Sequence, residues 1–270
     1  MGYYVDVEQN VKIYVEDLNP AGKKAILFLH GWPGNHNLFE YQFDILPGLG
    51  FRCIGIDTRG FGKSDKPFDG YDYDTLSDDV RCVVDALGLR NFTLVGHSTG
   101  GAIALRYMYR HNGYGVAKLV LVAAAAPSLI KRPNFQYGID KQVVTDIIKG
   151  TYNDRPLMLR EFGDKFFFRH TSDAFLDWFF HLGLQAAGWA TAAIAQTWIN
   201  ETLFGDLETV CVPTLIIHGT HDEIVPYQLG EIQHRAIRNS ILVPLEFSGH
   251  GSFYDQKEDF NAILMKFVES

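Results

Sequence analysis

Short runs of apolar, often β-branched residues alternate along most of this chain with segments of helical period. The runs are largely continuous and do not alternate between apolar and polar positions, which is typical of strands in a sheet that helices cover on both faces. The predicted strands are Tyr3–Val7 and Val11–Val15, paired as a hairpin, then Ala25–Leu29, Cys53–Ile56, Phe92–Val95, Leu119–Ala123, Thr214–Ile217 and Ile241–Glu246. Their alternation with helices predicts an α/β fold with a mostly parallel central sheet flanked by helices.

Two helices are predicted most directly. Tyr73–Leu87 has apolar residues at helical spacing, and Gly88 follows it as a stop signal. Gly100–Arg110 begins straight after a glycine-containing turn.

The alternation of strands and helices stops between about Pro127 and Val212. This stretch has no convincing strand, only helical segments rich in aromatic residues. Two interpretations fit it: peripheral helices packed on the core, or a helical cap inserted between two strands over a pocket. We favour the cap, because a long insertion at the loop end of a sheet is where binding elements are placed. Residues 1–127 and 212–270 then form the core, and residues 128–211 the cap.

Composition narrows the classes of function. The chain has 270 residues, of which 47% are hydrophobic and 21% charged, as is ordinary for a soluble domain with a substantial core. A formal net charge of −8 argues against a nucleic acid or an anionic membrane as a partner. No apolar run is long enough to span a bilayer, and the N-terminus lacks the features of a signal peptide.

Three cysteines, Cys53, Cys82 and Cys211, are scattered through apolar segments. An odd number at such positions predicts small buried core residues, and neither a disulfide framework nor a metal site. A reducing cytoplasm is the simplest location for such a chain.

A candidate nucleophile lies where a predicted strand turns into a predicted helix. Phe92–Val95 runs into the Gly-His-Ser-Thr-Gly segment Gly96–Gly100, and a helix follows. This order is typical of a nucleophile elbow, which holds a serine, here Ser98, in a strained backbone with its Oγ above the sheet. The start of the helix supplies N–H groups and a positive dipole where an oxyanion forms. A glycine-rich turn with an incidental serine is the alternative.

A serine hydroxyl is a poor nucleophile, so it needs a base that a third group orients. In chains with this elbow the acid and then the histidine follow the serine. Of ten histidines, only His250 follows the last predicted strand, in a loop flanked by glycines. His218 and His234 are interpreted as structural.

The acid is predicted in the turn after Thr214–Ile217. Asp222 lies there, able to reach the imidazole of His250 and to fix its tautomer. The neighbouring Glu223 is the local rival and is interpreted as a solvated side chain. No carboxylate follows the preceding strand, because Ala123–Pro127 is entirely apolar.

An oxyanion hole needs two donors. One is the N–H of Thr99, the residue after the nucleophile. The other is expected from the loop after Ala25–Leu29, where Pro33 has no N–H and Trp32 is therefore the donor. His30 in the same loop is interpreted as a structural hydrogen-bonding residue.

Phosphate and metal sites are not indicated. The segment Asp57–Asp65 contains two glycines but fits neither phosphate-loop pattern, so it is interpreted as a polar structural turn. The chain has no His-Glu-x-x-His and no Cys-x-x-Cys motif. We therefore expect neither a metal nor a cofactor.

The motifs together resemble the α/β-hydrolase superfamily, in the order His30–Pro33, Asp57–Ser64, Gly96–Gly101, His218–Asp222 with Val225-Pro226, and Gly249–Gly251. Within the superfamily, the chain resembles the cofactor-free haloperoxidase and aryl-esterase group in two motifs, Trp-Pro after His-Gly and Gly-His-Ser-Thr-Gly-Gly. The resemblance implies a four-helix cap, esterase activity, and a side reaction in which a carboxylic acid and hydrogen peroxide give a peracid. It also implies that Ser98, Asp222 and His250 are the triad, with Trp32 and Thr99 as oxyanion donors. The departures from the group lie in the cap, which leaves the substrate open.

The leading hypothesis is a serine hydrolase that cleaves small apolar or aromatic carboxylic esters through an acyl-enzyme, because the cap is aromatic. The same triad would serve a lactam, a carbon–carbon bond of a diketone, or acyl transfer. A haloalkane dehalogenase or an epoxide hydrolase is disfavoured, because those relatives carry aspartate at the position of Ser98. From a different class, a ligand-binding or signalling protein with little turnover stays open.

Overall fold

An eight-stranded sheet forms the centre of the molecule in a computed structural model that describes residues 1–270. The strands are β1 Gly2–Glu8, β2 Val11–Leu18, β3 Lys24–Leu29, β4 Phe51–Ile56, β5 Phe92–His97, β6 Val116–Val122, β7 Thr214–Gly219 and β8 Ser240–Leu245. Their spatial order is β1-β2-β4-β3-β5-β6-β7-β8, and every neighbouring pair is parallel except β1–β2 and β2–β4. All the predicted strands are confirmed, including the N-terminal hairpin.

Helices fill most of the connections. They are α1 Glu40–Phe43, α2 Tyr73–Ala86, α3 Thr99–Arg110, α4 Lys141–Gly163, α5 Asp173–Leu184, α6 Gly188–Asn200, α7 Phe204–Glu208, α8 Tyr227–Ala236, α9 Ser252–Asp255 and α10 Lys257–Glu269. The two helices predicted directly from periodicity, α2 and α3, are confirmed to within one residue at each end.

Alternate residues of the central strand β3 enter different hydrophobic clusters. Leu27 and Leu29 belong to a cluster of 50 buried residues, whereas Ile26 and Phe28 belong to a second cluster of 21. Successive side chains of a strand point to opposite faces, so the sheet is buried on both sides, as its continuous apolar strands predict.

Between β6 and β7 the chain forms the four helices α4 to α7 and no strand of the sheet. Helix α4 is kinked at Asp154, whose φ of −151° and ψ of 78° are not helical. Pro156 follows two residues later, and a proline disfavours helical backbone in the residues before it. The division into a core and a cap of residues 128–211 stays a prediction.

The three cysteines are free, but they are not all buried. Cys53 lies in the core, where burial raises the pKa of its thiol to about 12. Cys82 is half-buried, and Cys211 is exposed, so the prediction that all three are core residues is wrong for Cys211. That residue lies in the loop before β7, where its Sγ contacts the carbonyl of Thr209 at 3.3 Å. Among the helices, none is both long and apolar enough to cross a membrane.

Candidate active site

The candidate residues follow four strands whose carboxyl ends meet at one edge of the sheet. β3, β5 and β7 are parallel members of the same sheet, and β8 pairs with β7. Trp32 follows β3, Ser98 follows β5, Asp222 follows β7 and His250 follows β8. In open α/β sheets ligands bind at this edge, so the fold brings the predicted site residues to the place where a site is expected.

Ser98 has the strained backbone expected of an elbow. Its φ is 54° and its ψ −119°, a conformation that costs a non-glycine residue about 1–3 kcal/mol. The flanking glycines are required by space, because a Cβ on Gly96 would lie 2.4 Å from the carbonyl oxygen of Gly100. A Cβ on Gly100 would lie 2.3 Å from that of Leu29. The expected strand, turn and helix are therefore present, with Ser98 at the turn.

His250 and Asp222 form a buried hydrogen-bonded pair. The distance from His250 Nδ1 to Asp222 Oδ2 is 2.7 Å, and both side chains are fully buried. Since a carboxylate only accepts, Nδ1 donates a ring proton to it, and in the neutral ring Nε2 then carries the lone pair. Nε2 is buried and has no hydrogen-bond partner within the chain. The pair has the tautomer that a general base requires.

The other oxygen of Asp222 is held by the main chain. Oδ1 accepts the N–H groups of Ile224 and Val225, each at 2.8 Å. Burial raises the pKa of Asp222, but attraction to the protonated form of His250, the hydrogen bond from His250 and the neighbouring His218 outweigh it and hold the pKa well below its ordinary value. Asp222 is thus a fixed carboxylate, whereas Glu223 is exposed and makes no side-chain hydrogen bond.

His97, the residue before Ser98, makes a hydrogen bond to the loop that carries His250. Its Nε2 lies 3.0 Å from the carbonyl oxygen of His250, and burial, together with the charge of His250, holds its pKa well below the ordinary value. The ring is therefore neutral and donates from Nε2. Sequence reasoning assigned no role to His97, because it is a variable position of the Gly-x-Ser-x-Gly motif.

The loop after β3 lies directly against the serine. A Cβ on Gly31 would come within 2.9 Å of Ser98 Cβ and 2.4 Å of His97 Nδ1. The neighbouring N–H of Trp32 makes no hydrogen bond within the chain. Thr99 is the first residue of α3, where N–H groups have no intrahelical acceptor. Both N–H groups expected at an oxyanion hole are thus unpaired, one on the residue after Ser98 and one on the residue after Gly31, which lies against Ser98.

The helices between β6 and β7 contact these donor residues directly. Trp198 of α6 donates its indole N–H to the hydroxyl of Thr99 at 3.1 Å. The ring of Trp32 packs edge-on against Trp198 and Phe162, with centroids 5.2 Å and 4.8 Å apart. Its own indole N–H donates to the carbonyl of Thr191 at 3.1 Å. Sequence reasoning missed Trp198, since it was one aromatic residue among many in that stretch.

We expect the replacement Trp198→Phe to lower kcat for a small ester by about fivefold, because a hydrogen bond worth about 1 kcal/mol no longer orients Thr99. Steady-state kinetics on the purified variant measure this. Trp189→Phe is the matched control, because Trp189 is exposed and donates to the carbonyl of Pro67, outside the site. Equal losses in the two variants would contradict the role of the Trp198–Thr99 contact.

A buried carboxylate, Asp255 of α9, joins the loop of His250 to the segment between α4 and α5. Its Oδ2 accepts the N–H groups of Gly249 at 2.8 Å and Phe168 at 3.0 Å, and its Oδ1 accepts that of Arg169 at 3.1 Å. Burial is the largest influence and raises the pKa of Asp255, although these three hydrogen bonds oppose it. Asp255 therefore fixes the position of the loop that carries His250. No sequence motif pointed to it.

Two residues interpreted as structural have that role. His30 accepts the N–H of Thr58 on Nε2 at 3.1 Å and contacts the carbonyl of Gly31 through Nδ1. Asp57 accepts from His36 Nδ1 at 2.7 Å and from the N–H of Lys63 at 2.8 Å. Both hold loops beside the sheet edge. His, Cys, Asp and Glu side chains nowhere form a group of three that could hold a metal ion.

The relationship to known proteins is decided by a match over most of the chain. Residues 24–257 fit the family described as alpha/beta hydrolase fold. The chain belongs to this family. Among curated relatives, this α/β hydrolase is 46% identical to the AB hydrolase superfamily protein YisY of Bacillus subtilis (strain 168), over all of both chains. It is also 30% identical to the bifunctional esterase/perhydrolase DCH of Acinetobacter calcoaceticus, over 99% of each chain.

Solved structures agree with the fold. The esterase EaEST of Exiguobacterium antarcticum superimposes on this α/β hydrolase with a TM-score of 0.97 and 41% identity, over all of both chains. The bromoperoxidase of Bacillus anthracis does so with a TM-score of 0.95 and 32% identity, also over all of both chains. The predicted fold and the resemblance to the haloperoxidase and esterase group are confirmed. The chain is an enzyme of the α/β-hydrolase type.

Proposed function

We propose that this enzyme is a serine hydrolase that cleaves small apolar or aromatic carboxylic esters through an acyl-enzyme on Ser98. The observation that carries the proposal is the buried pair of His250 and Asp222, whose Nε2 lone pair is free, at the same sheet edge as the strained Ser98. Names of similar proteins support ester chemistry, since they include an esterase and an esterase/perhydrolase.

The proposed reaction has two halves. His250 Nε2 removes the proton of Ser98 Oγ as Oγ attacks the ester carbonyl, and the oxyanion is held by the N–H groups of Trp32 and Thr99. Collapse breaks the carbonyl–alkoxy bond, and His250 passes its proton to the leaving alcohol. Water then gives a proton to His250 as it attacks the acyl-enzyme; the bond from the acyl carbon to Ser98 Oγ breaks, His250 returns the proton to Oγ, and the carboxylic acid leaves. Asp222 stays ionised and stabilises the imidazolium in both halves.

The same proposed intermediate would also support a perhydrolase side reaction. If hydrogen peroxide replaces water as the attacking group, the acyl–oxygen bond to Ser98 breaks and a peracid leaves. Hydrogen peroxide is a co-reactant here, and no redox centre is needed. The name of the Acinetobacter relative supports this step.

Substrates reach the site, we propose, through a cavity of about 650 Å³ beside α4. Its apolar walls include Phe162, which packs on Trp32, and Ile224, which follows Asp222 by two residues. Such a path is needed because Ser98 is only 6% exposed and His250 is fully buried. The charged groups around the cavity are four carboxylates and one ammonium group, those of Asp146, Asp154, Glu161, Glu223 and Lys165.

This charge balance predicts a preference for neutral esters over anionic ones. We expect kcat/KM for p-nitrophenyl butyrate to exceed that for the p-nitrophenyl monoester of succinate by about tenfold at low salt, and less at high salt. The double replacement Asp146→Asn and Glu161→Gln should reduce this difference in kcat/KM by raising only the value for the anionic ester. Glu208→Gln in α7 is the control and should leave the difference unchanged. A difference in kcat/KM that does not respond to salt or to the double replacement would contradict an entry path through this cavity.

A fluorophosphonate probe tests the proposed function, because it phosphonylates only an activated serine. We expect one adduct per chain, mapped to Ser98 by peptide mass spectrometry, together with turnover of short-chain and aryl esters. A panel that includes lactams, a diketone and an acyl acceptor separates the other reactions of this triad. Wild-type protein that forms no adduct at Ser98 would overturn the proposal and favour a binding protein.

A further inference from the structure

We propose that His218 is a positioning residue for Asp222, so that the row of side chains at the site is Ser98, His250, Asp222 and His218. This rests on the proposed function above and extends it by one residue. His218 is the fifth residue of β7, and its side chain is fully buried.

The contacts of His218 define its tautomer. Nε2 lies 2.9 Å from the carbonyl oxygen of Val225 and 3.3 Å from Asp222 Oδ2. Both neighbours are acceptors, so Nε2 carries the proton; it donates to the carbonyl of Val225, and Asp222 Oδ2 is a longer electrostatic contact of the same N–H group. Nδ1 is buried and has no hydrogen-bond partner, and a second proton there would leave a buried donor unsatisfied. The N–H group of the ring therefore lies against the carboxylate of Asp222 and is bonded to the turn that follows this residue.

Helix α8 holds this ring in place. Gly230 lies so close that a Cβ there would be 2.8 Å from His218 Nδ1, and the ring of Tyr227 packs edge-on at 5.6 Å. The titratable groups that face the ring are thus Asp222 and Tyr227, and His250 lies beyond the carboxylate. A glycine at position 230 leaves the space that the imidazole needs.

His218 adds a contact to the hydrogen-bonded carboxylate of Asp222. Oδ1 accepts two main-chain N–H groups, and Oδ2 accepts the N–H of His250 and lies 3.3 Å from His218 Nε2. Three donors and the contact with His218 hinder rotation of the carboxylate, and they share its negative charge among them. Without His218 the charge would act more strongly on His250, which would then hold its catalytic proton to higher pH, and the carboxylate would be less firmly oriented.

The test compares a variant without the donor with one that keeps it. His218→Met removes the donor at similar size, and His218→Gln retains an N–H group. For a neutral p-nitrophenyl ester we expect the Met variant to lose about tenfold in kcat, because it lacks both the contact with the carboxylate and the bond to Val225, with little change in KM. The acidic limb of its kcat/KM–pH profile should move up by about half a pH unit. The Gln variant should keep most of the wild-type kcat, and the acidic limb of its profile should stay close to that of wild type. His234→Gln, on the exposed part of α8, should match wild type in both quantities.

Gly230→Ala perturbs the same contact from the other side. The added methyl group would displace the imidazole, and we expect the same upward movement of the acidic limb although alanine favours the helix. If His218→Met does not fold, the position of the acidic limb in Gly230→Ala decides between a positioning role and a packing role. An unmoved acidic limb in both variants, or equal losses in His218→Met and His218→Gln, would overturn the positioning role and leave a packing role. Failure of the proposed function itself has a different signature, which is wild-type protein without a Ser98 adduct.

Discussion

The replacement Ser98→Ala should lower kcat for p-nitrophenyl acetate by about 10⁴-fold or more, to the level that binding and the oxyanion donors sustain alone. Without Oγ no acyl-enzyme forms, and His250 has no proton to remove. Steady-state kinetics measure the loss, and intact-protein mass spectrometry after a fluorophosphonate should show no adduct.

Ser252→Ala is the matched control for that experiment. Ser252 is also a buried serine near the loop of His250, and its hydroxyl has no hydrogen-bond partner, so its removal leaves no group unpaired. It should retain wild-type turnover and labelling. Activity that survives Ser98→Ala, or that disappears in Ser252→Ala, would assign the nucleophile elsewhere.

Asp222→Asn should produce a loss of similar size, about 10⁴-fold in kcat, without unfolding the protein. The asparagine oxygen must face the N–H groups of Ile224 and Val225, which occupy Oδ1 in the native chain. Its NH₂ group then faces His250 Nδ1, and a donor there forces the ring proton onto Nε2. His250 is left in the tautomer that cannot accept the proton of Ser98.

Glu223→Gln is the control for the acid, since Glu223 is the adjacent carboxylate and is exposed. Its kcat for a neutral ester should stay close to that of wild type. The assignment fails if the Glu223 variant shows the large loss and the Asp222 variant does not. Thermal unfolding of both variants checks that the loss is chemical.

The strands and the candidate residues at their ends were predictable because both depend on local patterns. A buried parallel strand appears in the sequence as an apolar run, and parallel strands end at a common edge. Ser98, Asp222 and His250 each follow such a run, so chain order was enough to select them. The fold then brings Asp222 and His250 to hydrogen-bond distance.

The supporting residues could not be predicted, because their partners are distant in the chain. His97 contacts His250 across 153 positions, and Trp198 contacts Thr99 across 99. No local motif encodes such pairs; they depend on how the loops pack. The prediction that Cys211 is buried was wrong for a related reason. Its neighbours in the sequence are apolar, but they did not indicate that the loop before β7 is exposed.

The indole of Trp198 has a consequence for chimeric enzymes. Exchanging the stretch between β6 and β7 with that of a relative is an obvious route to a new substrate range. Here the exchange would also remove the hydrogen bond to Thr99 and the main-chain groups of Phe168 and Arg169 that Asp255 accepts. We therefore expect such an exchange to change turnover as well as selectivity. An active chimera would therefore need a tryptophan at the position of Trp198, and main-chain N–H groups placed to donate to Asp255 as those of Phe168 and Arg169 do.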